Sequence, residues 1–211
     1  MLLLETAFMP PVSYFAAIAE EFTLSYGRVV SLVPARLRLE ACENYQKQSY
    51  RNRCHIYSPN GVQALSFPIK HTASGISIPI KEVEVDYSTP WVAKTLRSID
   101  TAYRSSAYYD YYRDELYALM NSRPRTLWEL DMQIIRFFMR KMGLNTTILE
   151  TLSYTGDALD IHPKRPGGEL LKELAVRPYY QVFEDKFGFR PSLSVMDLLF
   201  NEGPGAVDLI R

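Results

Sequence analysis

The apolar positions along the chain switch repeatedly between strand and helix periods. Leu2 to Ala7 is a short apolar run broken by Pro10-Pro11, and it predicts a buried strand. Tyr14, Phe15, Ile18 and Phe22 follow at helical spacing, so strand, turn and helix open the chain in the order common to α/β folds. The turn Met9 to Phe15 then falls at the carboxyl end of the first strand, where open α/β sheets bind ligands. From Val29 to Cys42 the pattern is extended, with Leu37, Leu39 and Ala41 alternating against Arg36, Arg38 and Glu40. Tyr50 to Tyr57 and Val62 to Ile69 read as two strands of a hairpin joined at Asn60-Gly61. Ile76, Ile78 and Ile80 continue the extended character.

At Thr89-Pro90 the period becomes helical. Val92, Leu96, Ile99 and Tyr103 form one stripe, and Tyr109, Tyr112, Leu116 and Leu119 form a second. Thr126-Leu127-Trp128-Glu129 is a capping box, opening a third helix with Leu127, Leu130, Ile134, Phe137 and Phe138 inward. Leu144 to Tyr154 holds one more strand, and 155–168 reads as a loop that includes His162-Pro163-Lys164-Arg165. Two short helices end the chain, Pro178 to Phe187 with Tyr180, Phe183 and Phe187 inward, and one starting at Ser194 with Asp197 in the capping-box position. The fold class expected is α/β: an N-terminal mixed sheet with a β-hairpin, packed against a helical C-terminal half. The chain reads as a single domain over residues 1–211, strand-rich over 1–87 and helix-rich over 88–211.

Charge narrows the function. Twenty-four basic and 24 acidic side chains cancel, which argues against a general nucleic-acid binder and leaves any basic site local. Fifteen tyrosines, against ten phenylalanines, supply aromatic surface with a polar handle. Two cysteines, Cys42 and Cys54, make neither a disulfide framework nor a zinc site, and the three histidines have no partner at metal-ligand spacing. The start Met1-Leu2-Leu3-Leu4-Glu5 lacks a basic segment, and no apolar run reaches bilayer length. A cytoplasmic protein is expected, with no metal site. Cofactor and oligomeric state stay open.

The densest chemistry lies between Glu43 and Gly61. If Tyr50 to Tyr57 is a strand, Arg51, Arg53 and His55 point to one face, with Lys47 just upstream. Such a row can grip a carboxylate, phosphate or diphosphate, its repulsion offset by solvent, by that ligand, or by Glu40, Glu43 and Glu82. His55 is the candidate for proton transfer, as nearby cations favour its neutral form. On this reading Arg51→Ala abolishes anion binding and leaves the melting temperature within a few degrees. A solvated hairpin face is the plain alternative, and RNA contact through Tyr45 and Tyr50 a minor one. Walker A, GxGxxG, GxSxG and CxxC motifs are all absent.

The ordered set Pro11…Tyr14-Phe15, Lys47…Arg51-Asn52-Arg53…Ile56 and Leu65…Pro68-Ile69 resembles the WbqC-like family. So do Trp91…Tyr103 and Tyr108-Tyr109…Tyr112. The ending from Tyr180-Gln181-Val182-Phe183 to Asn201-Glu202-Gly203-Pro204 is similar to the branch of that family common in Bacteroidota. The resemblance implies a role in O-antigen or other surface polysaccharide biosynthesis, lipopolysaccharide included. A transferase modifying a sugar intermediate, by acyl or aminoacyl transfer among other routes, is the leading expectation. Substrate-binding residues would be Lys47, Arg51, Asn52, Arg53, Tyr14, Tyr108, Tyr109 and Tyr112, with His55 as base and a sugar nucleotide or other small anion as ligand. A non-catalytic binding or assembly protein using the same residues is the alternative.

Overall fold

The computed structural model describes residues 2–27, 36–70, 77–144, 147–156, 158 and 177–210. Three strands form a parallel sheet in the order β1 (Leu2–Leu4), β2 (Arg36–Leu39), β5 (Thr147–Glu150). β2 is central: Leu2 pairs with Leu37, and Arg36 with Thr147. Parallel neighbours need crossover connections, and α1 (Val12–Gly27) lies in the one between β1 and β2. Tyr14, Phe15 and Ile18 of α1 are buried as their spacing implies, while the side chain of Phe22 lies outside those described.

The hairpin forms a separate two-stranded sheet of β3 (Arg53–Ser58) and β4 (Gly61–Ser66). Its turn differs from the expected one. Ser58 pairs with Gly61, so Pro59 and Asn60 are the turn residues and Gly61 takes the left-handed position at φ 96°. Proline presets the first turn position, Ser58 Oγ accepts from Asn60 N–H at 3.3 Å, and glycine alone enters positive φ without strain. The strand also starts later than its alternation suggested. Arg51 and Asn52 lie in the preceding turn, because Arg51 is drawn inward by carboxylates rather than along the strand. Around Ile80 there is a 3-10 turn (Ile80–Glu82), with only isolated bridges such as Ile69 to Val85 and Asn44 to Pro79. Of the extended run expected there, residues 77–86 are mostly irregular, and Ile76 lies outside the described residues.

The helical half follows its periodicity. α2 (Trp91–Tyr103), α3 (Tyr109–Asn121) and α4 (Leu127–Lys141) bury the stripes named above, except that Leu119 of α3 is only partly buried and Met120 takes the inward place. At the start of α4, Thr126 Oγ1 accepts from Glu129 N–H at 3.2 Å, and Glu129 Oε2 accepts from Thr126 N–H at 3.1 Å. Two orphan donors of the helix end are thereby satisfied. Among the described tail residues from 177 on, the expected Pro178–Phe187 helix is confined to α5 (Glu184–Phe187), and α6 (Val195–Glu202) follows. Tyr180 is 58% exposed instead of inward, while Phe183 and Phe187 pack against Tyr57 of β3. The Ser194 side chain caps α6. Asp197, placed in a capping box by spacing, is turned inward to accept from Tyr179 Oη at 2.9 Å and Gln181 Nε2 at 2.8 Å. One hydrophobic cluster runs from Leu4 through Trp91 and Phe138 to Ile210, joining sheet, hairpin and helices. The fold is mixed α/β, with parallel strands and an antiparallel hairpin in the N-terminal part and a helical C-terminal half. The loop cluster His162 to Arg165 lies outside the described residues.

Candidate functional site

Polar residues collect where the parallel strands end. Glu5 and Thr6 follow β1, Glu40 follows β2 and Thr151 follows β5, so each strand delivers a polar group at its carboxyl end. Beneath them the core is apolar, and polar groups at this depth require partners. Glu40 is bound tightly: Thr151 Oγ1 donates to it at 2.6 Å, Thr155 Oγ1 at 2.9 Å, and the backbone of Cys42 at 3.1 Å. Although burial acts to raise it, these bonds hold the Glu40 carboxyl below the ordinary range. The same Thr151 hydroxyl accepts from Ala41 N–H at 2.9 Å, which locks β2 to β5 at this edge.

A second group is the more unusual one. Arg51 is fully buried, the bulkiest such side chain described. Its Nε and Nη2 donate to Glu43 at 3.2 and 2.6 Å in a bidentate pair, and Nη2 also meets Glu5. Among the described residues, Nη1 has no hydrogen-bond partner. Asp131 of α4, within range of the Arg51 charge, is also fully buried; it accepts from Thr6 Oγ1 at 3.3 Å on one oxygen, and its other oxygen has no hydrogen-bond partner among the described residues. Burial pushes the Asp131 carboxyl well above the usual aspartate range, and neither Thr6 nor Arg51 offsets it. Tyr14, in the first turn of α1, donates to the Glu5 carbonyl at 3.0 Å. Burial first, then the carboxyls of Asp131 and Glu5, hold its phenol protonated. Nearby, Met9 is forced to φ 44° in the turn after β1, a conformation costing about 1–3 kcal/mol that clusters at functional sites.

Chemically, this edge offers, among the described residues, one unbonded guanidinium nitrogen, a carboxyl with one unbonded oxygen and two carboxylates in one buried cluster. The charge compensation expected of Glu43 occurs, but at full depth rather than on a solvated face. Arg51 is consequently not part of the row read from strand parity. Arg53 and His55 do share a face of β3, both half-buried, while Cys54 and Ile56 face the core. His55 packs edge-on to Tyr50 at 5.8 Å, and burial, then Arg53, lowers its pKa. Lys47 is exposed, and Asn52 donates to the Phe67 carbonyl at 2.8 Å, tying the Arg51 turn to the end of β4. Tyr109 and Tyr112 are buried between helices, with Tyr109 Oη bonded to Tyr117 Oη at 2.8 Å. Tyr108 is 39% exposed and lies over Gly203. The tyrosines of α3 thus stand apart from Tyr14.

Glu5, Thr6 and Asp131 were not among the site residues expected from the sequence. The signal for Asp131 was present: stepping Leu127, Asp131, Ile134, Phe138 along α4 puts an acid inside an apolar stripe. Among the described residues no three His, Cys, Asp or Glu side chains gather as a metal site, and no helix is long and apolar enough to cross a membrane.

A parallel sheet whose carboxyl edge holds a buried acid–guanidinium cluster defines an α/β protein with a polar interior site. The chain belongs to the WbqC-like protein family, which it matches over residues 36–164. It is also 23% identical over 195 aligned residues to the uncharacterized protein Rv1507c of Mycobacterium tuberculosis, covering 79% of this chain and 84% of that one. No solved structure matches.

Proposed function

We propose that the protein is a transferase modifying a sugar intermediate in surface polysaccharide biosynthesis, with its reacting groups at the carboxyl edge of the sheet. The observation that carries this reading is the buried network of Glu5, Glu43, Arg51 and Asp131. Burying several ionisable groups destabilises a fold more readily than it stabilises it. Such networks, with a strongly displaced carboxyl, are characteristic of functional sites. Membership of the WbqC-like family supports the polysaccharide context through the role that family is associated with.

In this reading Arg51 Nη1 and the Asp131 carboxyl donate hydrogen bonds to an oxygen that gains charge, as acyl transfer requires. Glu5 and Glu43 keep the guanidinium charged and oriented. Tyr14 closes the floor, and Arg53, Lys47 and Asn52 belong to the approach from the hairpin. His55, held neutral, serves as the base for an incoming hydroxyl or amine. Purified protein incubated with sugar nucleotides and acyl or aminoacyl donors, with products weighed by mass spectrometry, tests the proposal. A mass gain on the sugar that Asp131→Asn abolishes supports it. Saturable binding with no product across the donor set replaces it with a binding protein.

A further inference from the structure

The hairpin turn and α2 enclose a surface groove of about 350 Å³. Asn60 and Gln63 line one wall; Lys94, Arg97, Ser98 and Thr101 line the other. Pro59 is the one apolar side chain in the lining, Ser58 adds a hydroxyl, and among the described residues no acidic side chain lines the groove. Lys94 and Arg97 lie three residues apart, hence on one helix face. Both are exposed, and neither takes part in an ion pair among the described residues. Lys186 of α5 adds a third cation at the rim, donating to the Pro59 carbonyl at 3.1 Å.

That arrangement is distinctive in a chain of zero net charge. Lys70, Lys81, Arg125, Arg140 and Lys141 are all satisfied by glutamates. Cations left unpaired in a concavity, with hydroxyl and amide groups beside them, suit an oxyanion larger than a carboxylate. Arg supplies a planar fork, Lys a point charge, and Ser98 and Asn60 can donate to further oxygens, while the Thr101 hydroxyl is already donated to the Arg97 carbonyl at 2.9 Å. We infer that this groove binds a phosphate or diphosphate group. It lies at the far end of β3, about 17 Å along the strand from Arg53, with the Arg51 turn beyond that end, at 3.3 Å per residue. The site is thus separate from the buried network, and the inference stands whether or not that network is catalytic.

The phosphate could be carried by a soluble molecule or by a lipid headgroup, and two arms separate these sources. In the first, pyrophosphate is titrated into isotope-labelled protein and amide shifts are followed by NMR. The expected shifts centre on Asn60, Gln63, Lys94, Arg97 and Thr101, and Lys94→Ala/Arg97→Ala weakens binding about tenfold or more. Asp131→Asn, which disturbs only the buried network, leaves the affinity unchanged. In the second arm, protein is sedimented with phosphatidylcholine vesicles containing phosphatidic acid. Pelleting that the double variant loses assigns the groove to a lipid headgroup, and pyrophosphate binding without pelleting assigns it to a soluble ligand. Shifts centred on Lys47 and Arg53, or no response in either arm, overturn the inference. Because both substituted side chains are exposed, the double variant should retain the wild-type melting temperature.

Discussion

Replacing Arg51 by alanine tests the buried network at its centre. The side chain is fully buried and holds Glu43 through two donors while also meeting Glu5. Its removal leaves two inward carboxylates without their cation. Breaking a buried pair in this way costs about 3–5 kcal/mol, far more than the pair itself contributes. In a chain of 211 residues, each kcal/mol moves the midpoint by about 2–4 °C, so Arg51→Ala should lose about 6–20 °C. Thermal and urea unfolding followed by circular dichroism measure the loss. The double variant Arg51→Met/Glu43→Gln should recover part of it, because the charge deficit then shrinks. A single variant that melts within 2 °C or so of wild type would refute the reasoning, since it would mean the carboxylates are solvated. Arg53→Ala, on the half-exposed face of β3, is the control and should cost about 1 kcal/mol or less.

Further outcomes follow from the same structure. Asp197, buried against Tyr179 and Gln181, has its pKa pushed up to about 7, chiefly by burial. A raised acid favours the folded state only while protonated, so wild-type stability should fall between about pH 4 and 7. Asp197→Asn should flatten that fall in unfolding experiments across the window. For Asp131 the sign is the same: Asp131→Asn should gain stability relative to wild type as pH rises above the ordinary aspartate range. A difference independent of pH would contradict this. His55, its pKa lowered by burial and by Arg53, should titrate below its ordinary value by NMR, and turnover should fall only as pH drops through that value. Gly203→Ala should destabilise by about 1–3 kcal/mol, because its Cβ would stand 2.5 Å from the Tyr108 ring at a φ of 57°.

Much of this architecture was legible in the residues. The helical half follows from its stripes and from Thr126 and Glu129, since local spacing and capping decide where α2 to α4 begin and what they bury. The hairpin was legible in kind, but its turn was displaced by one residue because Pro59 fits the first turn position better than Asn60. Arg51 shows the limit of strand parity. Alternation assigns a face only while the backbone stays extended, and two carboxylates outcompete that local preference. One is Glu43, eight positions upstream in the same stretch, and the other is Glu5, 46 positions upstream, which only the fold brings to Arg51. Asp131 was discoverable as an acid on an apolar stripe, yet its meaning depends on Thr6, which no local pattern connects to it. The Tyr179–Gln181–Asp197 network was hidden for the same reason: spacing suggested a helix cap where burial decided otherwise.

The central claim is that the buried network at the carboxyl edge of the sheet is where substrate is handled. The direct measurement compares wild type with Asp131→Asn by calorimetric titration of whichever sugar nucleotide, acyl-CoA compound or amino acid raises the melting temperature of the wild-type protein. Asparagine keeps the shape and the hydrogen bond from Thr6 but cannot release a proton. The account predicts that the variant folds at least as stably as wild type at pH 7 and loses about tenfold or more in affinity or turnover. A variant that binds and turns over like wild type would place the functional chemistry elsewhere.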